Sequence, residues 1–237
     1  MQARMFILDD ASPFGINLPQ ELVSLLKMNN RLKILDASEL AEDLYILIEE
    51  VDKPVTILGN GGALVFALLS RLGYRPDFNI VGIERRYGDS RDDKTRIGYE
   101  ITRRVKPNQR LVDDVIGSAG TLSYVIKELN ISDPDVVTMV LSGDKRSVFR
   151  EEYGSTVKGV KNVTAARSVN RKEGYPAILS ARFLLKRVRD DPAYRRYLKK
   201  YVDGMDKVKD LVDGTDLGPF DLLYRDPEQF IKEFGGV

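Results

Sequence analysis

The chain has 237 residues, of which 43% are hydrophobic and 31% charged, with 37 Lys+Arg against 36 Asp+Glu and no His, Cys or Trp. Lacking His and Cys, it has no Ser-His-Asp or Cys-His nucleophile, no imidazole base, no disulfide and no ordinary zinc, haem or iron–sulfur ligand set; chemistry falls to Asp, Glu, Lys, Arg, Tyr, Ser, Thr, backbone amides and a hard cation. A net charge of +1 argues against wholesale polyanion binding, no apolar run reaches the ~18 residues of a membrane span, and the start MQARMFILDD has no signal-peptide core, so the expectation is a soluble, cytoplasmic protein without a membrane partner.

In chain order, residues 1–17 read as irregular or short-strand, broken by Ser12-Pro13 and Gly15. Leu18-Pro19 opens a helix through Met28. A second helix is predicted from Ser38, as its cap, to Glu50, with Leu40, Leu44, Leu47 and Ile48 at helical spacing. A pattern of alternation follows. The run Pro54–Leu58 reads as a strand that ends in Gly59-Asn60-Gly61-Gly62 and leads into an apolar helix, Ala63–Leu72. Asn79–Ile83 is the next strand, followed by a polar stretch over Glu84–Arg96 and a strand at Ile97–Val105. Arg110–Asp113 is a strand, Asp114–Gly120 a loop and Thr121–Leu129 a helix with Leu122, Val125, Ile126 and Leu129 on one face. Asp135–Leu141 and Val160–Val163 complete the strands. Strands alternating with single helices predict right-handed βαβ units and an α/β fold built on a parallel sheet. From about residue 177 the chain turns helical and basic, with one helix over Ile178–Tyr201 and a short amphipathic helix near Pro227–Phe234. The expected organisation is an α/β domain over 1–176 and a helical appendage over 177–237.

The stretch Leu111-Val-Asp-Asp-Val-Ile-Gly-Ser-Ala-Gly-Thr121 carries the chemistry. A strand's carboxyl end delivers Asp113 and Asp114 to the crevice where open α/β sheets bind ligands. Two adjacent carboxylates there suit vicinal hydroxyls or a hard cation. The small residues Gly117, Ser118, Ala119 and Gly120 let backbone N–H groups converge, and Thr121 starts a helix whose first amides favour a phosphate. Together these parts suit a ribose hydroxyl pair with a 5′-phosphate nearby.

This stretch resembles the 5-phosphoribosyl-1-pyrophosphate (PRPP) motif of the type I phosphoribosyltransferases: an apolar strand, two acids, two apolar residues, a small-residue loop, then Thr. The resemblance covers roughly residues 5–160. It implies that fold: a Rossmann-like parallel sheet flanked by helices, with a small N-terminal hood. It also implies that Val115, Ile116 and residues 117–121 bind the PRPP phosphate, that Asp113 and Asp114 hold the ribose hydroxyls and, indirectly through ligand or water, Mg²⁺, and that Gly59-Asn60-Gly61-Gly62 form the pyrophosphate loop. Glu84–Arg96 resembles the loop that closes over the reacting centre. Segment order is most similar to the orotate phosphoribosyltransferases. Ser12-Pro13-Phe14 resembles their hood segment, Arg85-Arg86 a basic pair opening the catalytic loop, and Lys145-Arg146 after a strand a base-contacting pair, which assigns Phe14, Lys145 and Arg146 to the base.

The resemblance implies a pentosyltransferase that moves 5-phosphoribosyl from PRPP to a nucleobase nitrogen and releases pyrophosphate, with an orotate-like pyrimidine favoured and a purine as the second option. Arg85, Arg86 and Lys94 would neutralise leaving-group charge beside Mg²⁺. A homodimer is also expected. The rival reading is a non-catalytic sensor of PRPP or a nucleotide. It draws on Asp89, which stands where the family pattern has a lysine, and on the basic Arg182–Tyr201 stretch with its interleaved tyrosines, a stretch that would also suit nucleic acid. A solvated helix facing a dimer partner is the preferred reading of that stretch.

Overall fold

A computed structural model of the chain describes residues 5–8, 24, 32–35, 37–49, 53–87, 97–117, 119–142, 160, 162–169, 179–180, 189–198, 210 and 218–236. Two sheets organise these segments. The larger is built from β3 (Val55–Leu58), β4 (Phe78–Tyr87), β5 (Ile97–Arg103), β6 (Arg110–Ile116), β7 (Asp135–Ser142) and β8 (Asn162–Val169), in the spatial order β5-β4-β3-β6-β7-β8. All its pairings are parallel except the hairpin β4–β5. The smaller sheet is parallel and three-stranded: β1 (Met5–Leu8) lies between β2 (Leu32–Leu35) and β9 (Leu179–Ser180). The expected mixed α/β architecture, a mostly parallel sheet flanked by helices, is present.

The order of the strands matters more than their number. From β3 the chain passes outward through β4 to β5; from β6 it passes the opposite way through β7 to β8. Neighbouring β3 and β6 therefore straddle the point where the winding reverses, the place where open α/β sheets form a ligand crevice. Ile57 opposite Val112 is the last pair of their ladder, so Asp113 and Asp114 lie beyond its end, at the carboxyl end of the sheet.

α1 (Ala37–Glu49) and α2 (Gly59–Arg71) both pack on the sheet, α1 on β7 and β8 and α2 on β3, β4 and β6. α2 is apolar around most of its circumference because it is covered twice, by the sheet and by the C-terminal helix α6 (Pro227–Phe234). Phe66 of α2 is fully buried, edge-on to Tyr74 and against Phe78. Phe220 of α5 (Pro219–Arg225) and Phe230 of α6 are buried with it. Burying each such ring contributes about 1.5–3 kcal/mol. Gly235 ends α6 against Ala67 and Ser70 of α2. α3 (Gly120–Glu128) closes a second core, placing Leu122, Val125 and Ile126 against Leu111, Val136 and Leu141.

Several boundaries differ from expectation. Ser38 is the second residue of α1 rather than its cap. The Gly59–Gly62 run is no loop; it is the first turn of α2, and Gly59 enters it with φ +58, which glycine adopts without steric cost. Residues 84–87 extend β4 instead of opening a loop. The single helix expected over 178–201 is interrupted: Leu179–Ser180 are β9, and α4 (Pro192–Leu198) starts afresh with Asp191 accepting from the N–H groups of Ala193 and Tyr194, both at 2.9 Å. The Leu18–Met28 segment lies outside the described residues apart from Ser24, which is helical. No helix among the described residues is long and apolar enough to cross a membrane.

One buried ion pair ties α1 to β8. Arg167 reaches Asp43, which is 4% exposed, and also Glu39 at 3.4 Å. Burial pushes the Asp43 carboxyl up even though Arg167 pulls it down. Arg167→Ala leaves that carboxylate buried without its cation and is expected to cost about 3–5 kcal/mol in urea unfolding. A loss no larger than the ~1 kcal/mol of an exposed pair would show that water screens it.

Candidate functional site

The winding reversal opens a cleft of about 710 Å³. Its walls bring together Gly59, Asn60 and Gly61 from the start of α2, Asp113 and Asp114 from β6, Thr121 from α3, and Arg85 from β4. Pieces of sequence more than 60 residues apart thus meet at one crevice.

Two helices open there with caps that have no side-chain acceptor. Leu58 precedes α2 and Ala119 precedes α3. By contrast, Asp191 and Asp226 supply side-chain caps to α4 and α6. Amides that no side chain caps, combined with the positive end of a helix, suit an anionic ligand. Ala119 is left-handed at φ 53, a conformation that costs a non-glycine residue about 1–2 kcal/mol. That cost sits in the small-residue loop, where the chain must turn sharply from β6 into α3.

The acid pair is sunk into the fold, Asp113 at 4% and Asp114 at 8% exposure. Backbone amides steady it: the Asp114 N–H donates to Asp113 Oδ1 at 2.9 Å, and the Val115 N–H to Asp114 Oδ1 at 2.8 Å. The Thr138 hydroxyl donates to the Asp114 carbonyl at 3.0 Å. Burial pushes both carboxyls up, Asp113 well above its ordinary range because the Asp114 charge adds to the effect. The Arg85 guanidinium pulls both back down. The Asp114 carboxyl fills the space over Gly61, where a Cβ would lie 2.4 Å from its carbon. Gly62 lies deeper, and its Cβ would meet the Val112 carbonyl oxygen at 2.4 Å.

The two arginines expected together are separated by strand alternation. Beyond a bulge between Gly82 and Ile83, Arg85 lines the cleft and its Nε donates to Thr121 Oγ1 at 3.1 Å. Arg86 is 68% exposed at its side chain and is ion-paired with Glu100 on β5. Val115, Ile116, Gly117, Ala119 and Gly120 support the loop without lining the cleft, and Ile116 and Ala119 belong to the buried core. Phe14, Lys94, Ser118, Lys145 and Arg146 lie outside the described residues, as does Asp89.

Sequence reasoning missed the far wall. Asp190, Asp191, Tyr224, Arg225, Asp226 and Pro227 come from the C-terminal segment and face the same cleft. The hairpin adds Glu84, Thr102 and Arg103. Arg103 also pairs with Glu228 of α6 at 3.0 Å, and this contact and Lys232 hold the Glu228 carboxyl below its ordinary range. Nothing local in the sequence marks these contacts, because they depend on α6 folding back over α2.

Comparison with known proteins gives similarity of outline only. No protein-family model matches the chain, and no curated protein sequence matches it. Among solved structures, a hypothetical protein from Neisseria gonorrhoeae with bound ppGpp is similar at 14% identity and TM-score 0.44, over 76% of this chain and 94% of that one. A purine phosphoribosyltransferase from Pyrococcus horikoshii Ot3 is similar at 19% identity and TM-score 0.36, over 62% of this chain and 96% of that one.

Proposed function

We propose that the chain is a phosphoribosyltransferase that binds PRPP at the β3/β6 crevice and transfers its 5-phosphoribosyl group to a nucleobase. The observation that carries this reading is one cleft holding a buried acid pair between two helix starts without side-chain caps. An acid pair accepts hydrogen bonds from vicinal ribose hydroxyls. The α3 amides and the Thr121 hydroxyl receive the 5′-phosphate on one side. The α2 amides after Gly59 receive the pyrophosphate on the other.

In the transfer, the C1–oxygen bond to pyrophosphate breaks with its electron pair leaving on oxygen, the base nitrogen forms the new C1–N bond, and the proton that nitrogen carried is released to the leaving pyrophosphate or to water. Positive charge grows on the sugar and negative charge on the leaving group. In this arrangement the Asp113/Asp114 carboxylates serve the first, and the amides at the α2 start serve the second. Mg²⁺ fits this donor set, since Asp113 and Asp114 offer hard oxygens. When bound, it would neutralise pyrophosphate charge. In this reading the cation arrives on the substrate and the acids touch it only indirectly, through ligand or water.

The cleft's charge bears on the acceptor. Outside the parts assigned to PRPP, its described walls carry Glu84, Asp190, Asp191 and Asp226 against two arginines, Arg103 and Arg225. That balance supports a neutral base rather than the anionic orotate-like acceptor, whose case rests on Phe14, Lys145 and Arg146. The test is incubation with PRPP, Mg²⁺ and a panel of orotate, uracil, adenine, guanine and hypoxanthine, following pyrophosphate. Release with a neutral base is the expected result. Release with orotate alone would overturn the acceptor reading. Saturable PRPP binding with no release from any base would place the chain with the sensor reading.

A further inference from the structure

The family resemblance assigns Arg85 to the leaving pyrophosphate, but its Nε donates to Thr121 Oγ1 at the start of α3. We propose that Arg85 and Tyr99 form a two-residue clamp for the 5′-phosphate end of the sugar. The proposal rests on the PRPP reading and deepens it by assigning the hairpin to the sugar phosphate.

Arg85 and Tyr99 are direct partners in the antiparallel β4–β5 ladder, so their side chains leave the same face of the hairpin. Both reach the start of α3. Arg85 Nε donates to Thr121 Oγ1 at 3.1 Å. With a lone pair of that oxygen engaged, the Thr121 proton is free to point toward an anion over the helix start. The Tyr99 hydroxyl lies against the preceding residue, where a Cβ on Gly120 would be 2.4 Å from it. Its ring is stacked on Tyr124 of α3, with centroids 5.8 Å apart and planes 27° apart, which fixes the direction of the hydroxyl. One strand of the hairpin therefore brings a guanidinium, and the other a phenol, to the first two residues of α3. Arg85 and Thr121 line the cleft and the Tyr99 hydroxyl stands beside them at Gly120, so a guanidinium and a phenol flank the first amides of the helix, donors that suit a phosphate. The α2 start that the PRPP reading gives to pyrophosphate meets the acid pair at Gly61, over which the Asp114 carboxyl lies.

The experiment is calorimetric titration of the full chain with ribose 5-phosphate and, separately, with pyrophosphate, for the wild type and for Tyr99→Phe, Arg85→Gln and Arg85→Lys. Tyr99→Phe keeps the ring stack, and melting temperatures establish that each variant is folded. Tyr99→Phe and Arg85→Gln are each expected to weaken ribose 5-phosphate by about tenfold, the scale of a lost hydrogen bond to a charged group. Pyrophosphate should stay within about twofold of wild type, and Arg85→Lys should recover part of the loss. If Arg85→Gln does not fold, Tyr99→Phe alone decides. Equal weakening of both ligands, weakening of pyrophosphate alone, or no change would overturn the clamp while leaving the PRPP reading standing. A wild type that binds neither ligand would overturn both.

Discussion

Replacing both Asp113 and Asp114 by asparagine is expected to abolish phosphoribosyl transfer and, at neutral pH, to raise the melting temperature. Two charge-assisted hydrogen bonds to the ribose hydroxyls, at about 1.5–3 kcal/mol each, correspond to a loss of at least on the order of a hundredfold in kcat/KM. The gain in stability has a separate origin. Burial holds both carboxyls above their ordinary value of 3.8, and the Asp114 charge raises Asp113 further, so the folded protein binds protons that the unfolded chain has released. The contribution of the pair to stability is therefore fully present below about pH 3.8 and is lost as pH rises through the raised folded values. At neutral pH, well above 3.8, the wild type carries that penalty and the asparagine variant does not. The difference in unfolding free energy between variant and wild type should thus be largest at neutral pH and shrink on acidification toward pH 4. Glu228 works in the opposite sense, since its folded value is lowered, but it is common to both proteins and cancels in the difference. Urea unfolding of both proteins across this range measures it. A variant less stable than wild type at neutral pH would show that the acids support the fold instead of straining it.

The second large effect concerns neighbouring glycines in the first turn of α2. Helix propensity alone favours alanine over glycine by about 1 kcal/mol, so any loss must come from sterics. At Gly61 the new Cβ meets the Asp114 carboxyl, with its three atoms at 2.4–2.6 Å. A short side chain can turn away, so Gly61→Ala should cost only about 1–3 kcal/mol of stability while pushing the carboxylate out of place. Activity should fall with it, by tenfold or more if the displacement forfeits one charged hydrogen bond. At Gly62 the obstacle is the Val112 carbonyl oxygen at 2.4 Å, which belongs to the strand ladder with β3. Backbone cannot give in the same way, so Gly62→Ala should be the more destabilising of the two, at or beyond about 3 kcal/mol. Combining Gly61→Ala with Asp114→Ala should recover part of the stability lost by Gly61→Ala, because the clashing carboxyl is gone. Thermal melts and turnover of the three variants check this order. A Gly61→Ala enzyme as active as wild type would mean the carboxylate position over Gly61 is unimportant.

The sequence was most readable where one short segment carried its own physics. The run from Leu111 to Thr121 holds strand, acids, turn and helix start within eleven residues, and the structure lays them out as β6, loop and α3. The strand–helix alternation and the terminal helix Pro227–Phe234 were readable for the same reason. Legibility failed where a choice depended on distant chain. Gly59–Gly62 looked like a loop because glycines weaken helices; it is helical because α2 packs closely on the sheet there, and against Asp114 and Val112 there is no room for a side chain at Gly61 or Gly62. Arg85 and Arg86 looked equivalent until the β4–β5 ladder sent one inward and one to Glu100. The long helix expected from residue 178 ignored a visible signal, Asp191 before Pro192, which is a cap followed by a first-turn proline. Leu179-Ser180 gave no such sign, since the pairing of β9 depends on β1 more than 170 residues earlier.

The central claim, that the β3/β6 crevice is a PRPP site, meets its most direct test in a titration of the wild-type chain with PRPP and Mg²⁺, repeated with the Asp113→Asn/Asp114→Asn variant. The account predicts saturable binding with one PRPP per chain in the micromolar to ~1 mM range usual for enzyme substrates, weakened at least about a hundredfold in the folded variant. No binding by the wild type at that concentration, or equal binding by both proteins, would contradict it.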